Sequence, residues 1–442
     1  MPVSARSINI FRHTRLAILF KLGSIIANFM VVPLALTYLG TEDYGTWLTI
    51  SSVLVWFVLF DIGIGNGLRN NFSKAMALGK YDQARAFVST AYFSVSIIGI
   101  LLVFAMWLVN FVVDWTIVFN TSPEKAGALS RLMPLVFGFF GLQLVAKLIV
   151  SVYLADQHHS IQNKVDFFGQ IGILASIFLI MQADDRSIVL FGSIYMASPL
   201  IVLMVLNLVA FNGRYKEYCP KLSLFKREHL QEVTVLGFRF FFIQIGALVL
   251  FSTDNFIIAQ FFGPEEVVPF NIVFRYFTLI TAGFGILIMP FWSSFTEAYT
   301  KMDIVWIRKS VLTIQSIWLL VLLGLTVMIF ASDWFYKVWL GDGVRIEFAL
   351  TLSMALYAAV VTFNTIYVTF INGVGKIQLQ VVVAIMVMVF NIPISIYLAK
   401  YMGLGPPGII LGTVVCLFVP LPLWIFQYYK LINKTAQGIW NK

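Results

Sequence analysis

The sequence predicts an all-α membrane protein of twelve transmembrane helices, arranged as two six-helix lobes about a pseudo-two-fold axis along the membrane normal, with a central cavity. Three observations lead there. Of the 442 residues, 60% are hydrophobic and only 12% are charged, where a soluble chain carries about 25% charged residues. Uncharged runs are long: 87–113 and 310–332 each hold more than twenty consecutive positions without a charged side chain, and roughly twenty apolar residues cross a bilayer as a helix. The stretch Leu39–Arg85 has a counterpart in Phe262–Arg308 at a constant offset of 223 residues without a gap.

The expected spans are 16–37, 44–65, 87–113, 127–154, 165–182, 188–211, 233–262, 268–290, 310–332, 346–370, 379–400 and 407–430. Ala183-Asp184-Asp185-Arg186-Ser187 forms the charged turn between the fifth and sixth. The start, with Arg6, Arg12 and Arg15, runs into the first span without a small-residue cleavage site, so that span is expected to stay as an anchor. Pro33, Pro134, Pro199, Pro393, Pro420 and Pro422 fall inside spans, which membrane helices tolerate.

The repeat defines the halves. Leu39-Gly40-Thr41-Glu42-Asp43 corresponds to Phe262-Gly263-Pro264-Glu265-Glu266, Phe72-Ser73-Lys74-Ala75 to Phe295-Thr296-Glu297-Ala298, and Arg85 to Arg308. Each copy reads span, acidic Gly turn, span, amphipathic segment ending in Arg. An even number of spans per half gives both copies the same orientation, hence the axis along the membrane normal. The expected divisions are an N-terminal lobe 1–211, a basic linker 212–232 with Arg214, Lys216, Lys221, Lys226 and Arg227, and a C-terminal lobe 233–442. The connectors 69–86 and 291–309 read as interfacial helices: Phe72, Ala75 and Met76 oppose Arg69, Lys74 and Lys80, while Phe291, Phe295, Tyr299 and Trp306 oppose Lys301, Arg308 and Lys309.

With both termini in the cytoplasm, Lys and Arg on the inner side of the spans outnumber those on the outer side at least fourfold, as the positive-inside rule requires. The net charge of +9 is thus a topology signal. The basic residues are spread over many loops and form no stripe that would fit a nucleic acid. Cys219 and Cys416 lie in a loop and in the last span, with no partner to make a disulfide or metal site.

A charge inside a span costs at least a few kcal/mol, about 2.5–3.5 on insertion scales, and normally faces a cavity or a partner. Lys21, Asp61, Arg69, Arg131, Lys147, Arg239, Asp254 and Arg275 are such charges. Lys21 shares a helix face with Ser24 and Asn28, and Arg275 with Thr278 and Ala282, with Gly285 close by. Asp61 and Arg69, eight residues apart, are able to pair. Snorkelling to an interface is the plain alternative for Lys21, Arg239 and Asp254; Lys147 and Arg275 lie far from either end of their spans. Six cations stand against two carboxylates. A cavity lined this way attracts an anion, with phosphate or diphosphate the natural partner of Arg and Lys. Asp61 and Asp254 are candidates to bind H⁺ or Na⁺.

Enzyme and cofactor motifs do not hold. Gly373-Val374-Gly375-Lys376-Ile377 lacks the hydroxyl residue after Lys and the earlier Gly of a phosphate loop. Gly63-Ile64-Gly65-Asn66-Gly67 follows no strand and reads as close helix packing at a membrane exit. Asp156-Gln157-His158-His159 reads as a polar loop, and no catalytic or metal set is expected. A polysaccharide polymerase or glycosyltransferase would need larger loops outside the membrane than this chain offers.

Leu39-Gly40-Thr41-Glu42-Asp43-Tyr44-Gly45-Thr46-Trp47 followed by Phe60-Asp61-Ile62-Gly63-Ile64-Gly65-Asn66-Gly67-Leu68-Arg69 resembles the N-terminal signature of Wzx-type polysaccharide (O-antigen) flippases, in the multidrug/oligosaccharidyl-lipid/polysaccharide exporter superfamily. Gly403-Leu404-Gly405-Pro406-Pro407-Gly408 resembles the family's Gly-rich turn before the last span. The resemblance implies two six-helix lobes around a cavity, alternating access coupled to an ion gradient, and a bacterial inner-membrane location. It implies an undecaprenyl-diphosphate-linked oligosaccharide as substrate, moved from the cytoplasmic to the periplasmic leaflet, with polysaccharide-assembly proteins as possible partners. Lys21, Asp61, Arg69, Lys147, Arg239 and Arg275 are then expected to hold the substrate, Asp61 and Arg69 by the motif and the others by residue type and depth. A drug or metabolite exporter of the same superfamily is the rival reading; for cationic drugs it would want a carboxylate-rich cavity.

Overall fold

The computed structural model describes residues 5–57, 64–156, 158, 160–182, 186–226, 228, 253–341 and 343–441. All regular elements among them are helical, and ten helical runs are long and apolar enough to cross a membrane. The difference from the twelve expected spans arises at two places. The first two fall in one run, Leu19–Phe57, interrupted by non-helical dihedrals at Gly40. The seventh lies mostly outside the described residues, which resume at Thr253. The chain divides into two compact units, Met1–Gln244 and Ile245–Lys442.

The first unit holds α1 (Ala5–Phe57), α2 (Ile64–Ala77), α3 (Tyr81–Val109), α4 (Trp115–Phe119), α5 (Ala126–Ala146), α6 (Leu148–Ala155), α7 (Ile161–Ile180) and α8 (Ile188–Asn212). Its helices meet where small residues let backbones approach, as is usual in lipid, where apolar burial alone does not drive association. A Cβ on Gly23 of α1 would lie 2.6 Å from the Phe167 ring of α7, and one on Gly192 of α8 would lie 2.7 Å from both Trp47 and Leu132. Trp47, 1% exposed, is enclosed there by Phe191 and Tyr195, with ring centroids at 5.8 and 5.1 Å. The connector expected as one helix over 69–86 is split: α2 ends at Ala77 and α3 begins at Tyr81; α2 buries Ile64, Leu68, Phe72 and Ala75. Gly65 and Gly67 are buried in it, in keeping with a packing role.

At one end of this unit, Lys125 clamps the acidic turn: its Nζ lies 2.7 Å from Glu42 and 2.5 Å from Asp43. The 115–119 turn nearby is capped by Asp114, whose Oδ1 accepts from the Thr116 N–H at 2.9 Å and hydroxyl at 2.6 Å; those bonds hold its carboxyl below the usual range. At the other end, Asp156 Oδ2 accepts from Arg214 at 2.8 Å and from the Tyr215 hydroxyl at 2.7 Å. Burial and the neighbouring carboxylate push the Tyr215 hydroxyl up. The Asp156–His158 segment is thus a polar loop tied to the basic stretch after α8, as read from the sequence. That stretch is docked on α3: the Lys221 N–H donates to Ser89 Oγ at 3.1 Å and the Lys226 N–H to Thr90 Oγ1 at 3.2 Å.

The second unit holds α9 (Asp254–Phe262), α10 (Val267–Thr300), α11 (Ile304–Leu340), α12 (Phe348–Val374), α13 (Gln378–Ile396), a π turn (Tyr397–Tyr401), α14 (Pro406–Phe418) and α15 (Leu421–Ile432). The two acidic turns paired in the sequence share one backbone feature. Gly263 (φ 97°, ψ 157°) has the conformation of Gly40 (φ 77°, ψ 176°), a region essentially confined to glycine. The charges around the two turns differ: Glu265, Glu266 and Glu347 are electrostatic neighbours, and no described residue plays the part of Lys125. The 291–309 connector is not a separate helix. α10 continues through it to Thr300, past Pro290, with Phe295 fully buried against Phe370 and Trp306. Gly375 ends α12 in the left-handed conformation (φ 75°); its glycine is a helix stop, and Lys376 Nζ donates to the Asn441 carbonyl at 2.9 Å. Cys219 and Cys416 are free thiols.

Candidate functional site

Two polar patches emerge, one in each unit. In the first unit Lys21 is exposed on α1, Ser24 is buried beneath it and Asn28 is half-buried. The neighbouring Phe20 packs on Phe167 and Phe168 of α7, centroids at 5.4 and 6.0 Å. Lys164 Nζ sits 5.7 Å from the Phe20 ring centroid, a cation–π contact. α7 opens with further polar groups. Gln162 donates to Asp166 at 2.7 Å, and Gln170 Oε1 is buried with no hydrogen-bond partner among the described residues. Lys164, Asp166 and Gln170 were not expected from sequence, although Gln162, Asn163, Lys164, Asp166 and Gln170 crowd into one short stretch. A denser than usual polar opening to a span was the available signal.

Lys147 itself stands between α5 and α6 with right-handed helical dihedrals (φ −68°, ψ −20°). It is exposed, while Leu148, Ile149 and Val150 after it are buried. Arg69 is half-buried on α2, and no ion pair engages it among the described residues. Asp61 and Arg239 lie outside the described residues, so the Asp61–Arg69 pairing has no geometry to report. Arg131 is exposed, its Nε donating to the Gly127 carbonyl at 3.0 Å.

In the second unit Asp254 opens α9 and is 7% exposed. Its Oδ1 is buried with no hydrogen-bond partner among the described residues. Tyr357 of α12, 8% exposed, lies within electrostatic reach of it and packs on Phe274 at 6.1 Å. Asn255, next in sequence, accepts from Asn271 Nδ2 at 2.8 Å. One turn along α10 from Asn271 comes Arg275, half-buried and engaged. Further along α10, a Cβ built on Gly285 meets nothing within 4 Å. The hydroxyl of Thr278 turns to its own backbone, donating to the Phe274 carbonyl at 2.7 Å. The structure therefore joins Asp254 to the Arg275 helix through Asn255 and Asn271, a link that sequence spacing did not reveal.

Among the described residues no three His, Cys, Asp or Glu side chains gather as a metal set. A lone buried carboxylate with a free oxygen is suited to taking up a proton or a small cation, and exposed cations on membrane helices are suited to an anionic group.

The fold is that of the MATE transporters. An inward-facing multidrug resistance MATE family transporter of the MOP superfamily matches with a TM-score of 0.79 at 12% identity, covering 96% of this chain and all of the other. A MOP superfamily transporter from Pyrococcus furiosus matches at 0.62 and 12% identity, covering 96% and 97%. The sequence is 21% identical over 428 residues to a protein of Yersinia pseudotuberculosis named for O-antigen export, covering 94% of this chain and 95% of the relative. It is 23% identical over 309 residues to an O-antigen transporter by name of Salmonella typhi, covering 67% and 68%. No family model matches. These relatives and this fold bear out the resemblance to Wzx-type flippases within the MOP superfamily.

Proposed function

We propose that this multi-pass membrane protein is a flippase for an undecaprenyl-diphosphate-linked oligosaccharide, an O-antigen or other surface polysaccharide unit, in a bacterial inner membrane. It moves the unit from the cytoplasmic to the periplasmic leaflet by alternating access of two six-helix lobes, twelve spans in all, with both termini cytoplasmic. The observation that carries this reading is the nearly end-to-end match to a protein named for O-antigen export. The excess of intramembrane cations supports it, because a diphosphate needs them. In this reading Lys21, Asp61, Arg69, Lys147, Arg239 and Arg275 hold the substrate, and no bond of the substrate is made or broken.

Deleting the gene is expected to remove surface polymer and to leave lipid-linked oligosaccharide in the cytoplasmic leaflet, with drug susceptibility unchanged. The structural neighbours named for multidrug resistance favour a second reading, a drug exporter. Raised drug susceptibility with normal polymer would establish that reading and refute the flippase.

The coupling ion, H⁺ or Na⁺, is assigned to Asp254, with Asp61 as its partner candidate. The buried, unpartnered Oδ1 of Asp254 supports this. In reconstituted vesicles, Asp254→Asn is expected to abolish stimulation of transport by an ion gradient while leaving substrate binding within twofold of wild type. A variant that still responds to the gradient would remove Asp254 from that role.

A further inference from the structure

One feature of the first unit is used by neither patch. α3, α5 and α8 enclose an apolar groove of about 960 Å³ that lies wholly within this unit. Its floor exists because α3 and α5 cross at glycines: a Cβ on Gly99 would stand 3.2 Å from the Gly141 carbonyl oxygen. Gly138, one turn before the crossing, lines the groove and has nothing within 4 Å of a Cβ position. Ile100, Phe104, Trp107, Leu142 and Met204 form an exposed apolar rim. The polar groups at one end are consumed internally. The Tyr92 hydroxyl donates to Asn207 Oδ1 at 2.6 Å, and Asn207 Nδ2 donates to the Ala146 and Leu203 carbonyls at 2.8 Å. Among the described residues the lining holds no charged side chain, and Ser96 is its other polar residue.

We propose that this groove is a seat for the polyprenyl chain of the substrate, an inference that rests on the flippase reading above. Length selects the occupant. From Tyr92 to Trp107 the groove follows α3 for about 22 Å at 1.5 Å per residue, whereas one leaflet of hydrocarbon is about 15 Å deep. A phospholipid tail would fill only part of it; a chain of many isoprene units fills it and passes the bilayer midplane. Charge agrees at the end nearest the start of α3, cytoplasmic in the proposed orientation. One turn beyond Tyr92 on the same face of α3, Ser89 holds the Lys221 backbone, and Thr90 holds that of Lys226. Both lysine side chains are exposed, and neither has a carboxylate partner among the described residues. The docked basic segment thus presents cations to a diphosphate where the chain leaves the groove.

The test uses the full chain in nanodiscs of phosphatidylethanolamine and phosphatidylglycerol. One probe is an eleven-unit polyprenyl diphosphate (the undecaprenyl length proposed above) with a diazirine on its terminal isoprene; the other is a phosphatidylglycerol with an acyl-chain diazirine. The polyprenyl probe is expected to mark peptides within 96–107 and 134–142. Gly138→Trp, whose Cβ meets nothing within 4 Å, puts an indole into the groove and should cut that labelling at least fivefold. Leu320→Trp, on an exposed position of α11, should leave it unchanged. Equal marking of the groove by phosphatidylglycerol, or labelling undiminished by Gly138→Trp, overturns the assignment. Polyprenyl labelling that is specific but elsewhere on the chain overturns the groove alone. Polyprenyl labelling nowhere above the phosphatidylglycerol level overturns the flippase reading with it.

Discussion

Replacing Gly412 with leucine is expected to abolish the folded protein. A Cβ at Gly412 would collide with Ser395 Oγ and lie 2.6 Å from Ser395 Cα; one at Gly408, a turn earlier, would lie 2.6 Å from Ala399 Cα. The obstacles are backbone atoms, so no side-chain rotation relieves them. α14 therefore meets α13 at Gly412 and the π turn after α13 at Gly408, main chain to main chain, the small-residue contact that lets membrane helices pack closely. That contact shelters two polar links. Ser395 Oγ donates to the Ile409 carbonyl at 3.1 Å, and Asn391 Nδ2 to Thr413 Oγ1 at 3.1 Å, with Asn391 and Ser395 both 0% exposed. Forcing the helices apart orphans these groups at about 1–3 kcal/mol each, on top of roughly 1–3 kcal/mol or more for overpacking. Against a total stability of about 5–15 kcal/mol for a typical domain, this is a large fraction. In detergent, the monodisperse elution peak should vanish for Gly412→Leu. It should survive for Gly283→Leu, where the added side chain meets open space. A Gly412→Leu protein with wild-type elution and melting temperature would refute the account of this contact.

The parts of this molecule that were legible in the sequence share one property: each is fixed by local chemistry. Apolar runs announce membrane helices because the bilayer demands about twenty residues per crossing. Gly40 and Gly263 were legible as turns from the acidic residues that follow each, and both have dihedrals that exclude other residues. α2 was legible from the alternation of Phe72 and Ala75 with Lys74. What was not legible depends on distant parts of the chain meeting. Lys125 gives no sign in sequence that it will clamp Glu42 and Asp43. The Asn255–Asn271 link that joins Asp254 to the Arg275 helix requires the turn at Gly263 to fold α9 back on α10. The groove along α3 is less visible still, because its glycines read as ordinary membrane residues until Gly99 and Gly141 are seen to cross. The 291–309 connector shows the converse: an amphipathic pattern was read correctly for burial of Phe295, but pattern alone does not say where one helix ends and the next begins.

Replacing Lys147 and Arg275 together with alanine is expected to reduce surface polymer to below a tenth of wild type with the amount of membrane protein unchanged. The two residues come from different units, and the proposed role asks the same thing of both, a positive charge held in apolar surroundings for a diphosphate. Neither is expected to carry the fold. Lys147 is exposed at a helix junction whose backbone is already satisfied, its N–H donating to the Gln143 carbonyl at 2.9 Å and its carbonyl accepting from the Val150 N–H at 3.0 Å. Arg275 is half-buried and has a partner of its own, so the level of the Arg275→Ala single variant is measured beside that of the double. Charge-preserving exchange discriminates further. Lys147→Arg should retain most of the activity, because the exposed site tolerates a larger head. Arg275→Lys should lose more, since a point charge does not reproduce the planar fork of a guanidinium. Normal surface polymer in the double alanine variant, at wild-type protein level, would remove both residues from the substrate path.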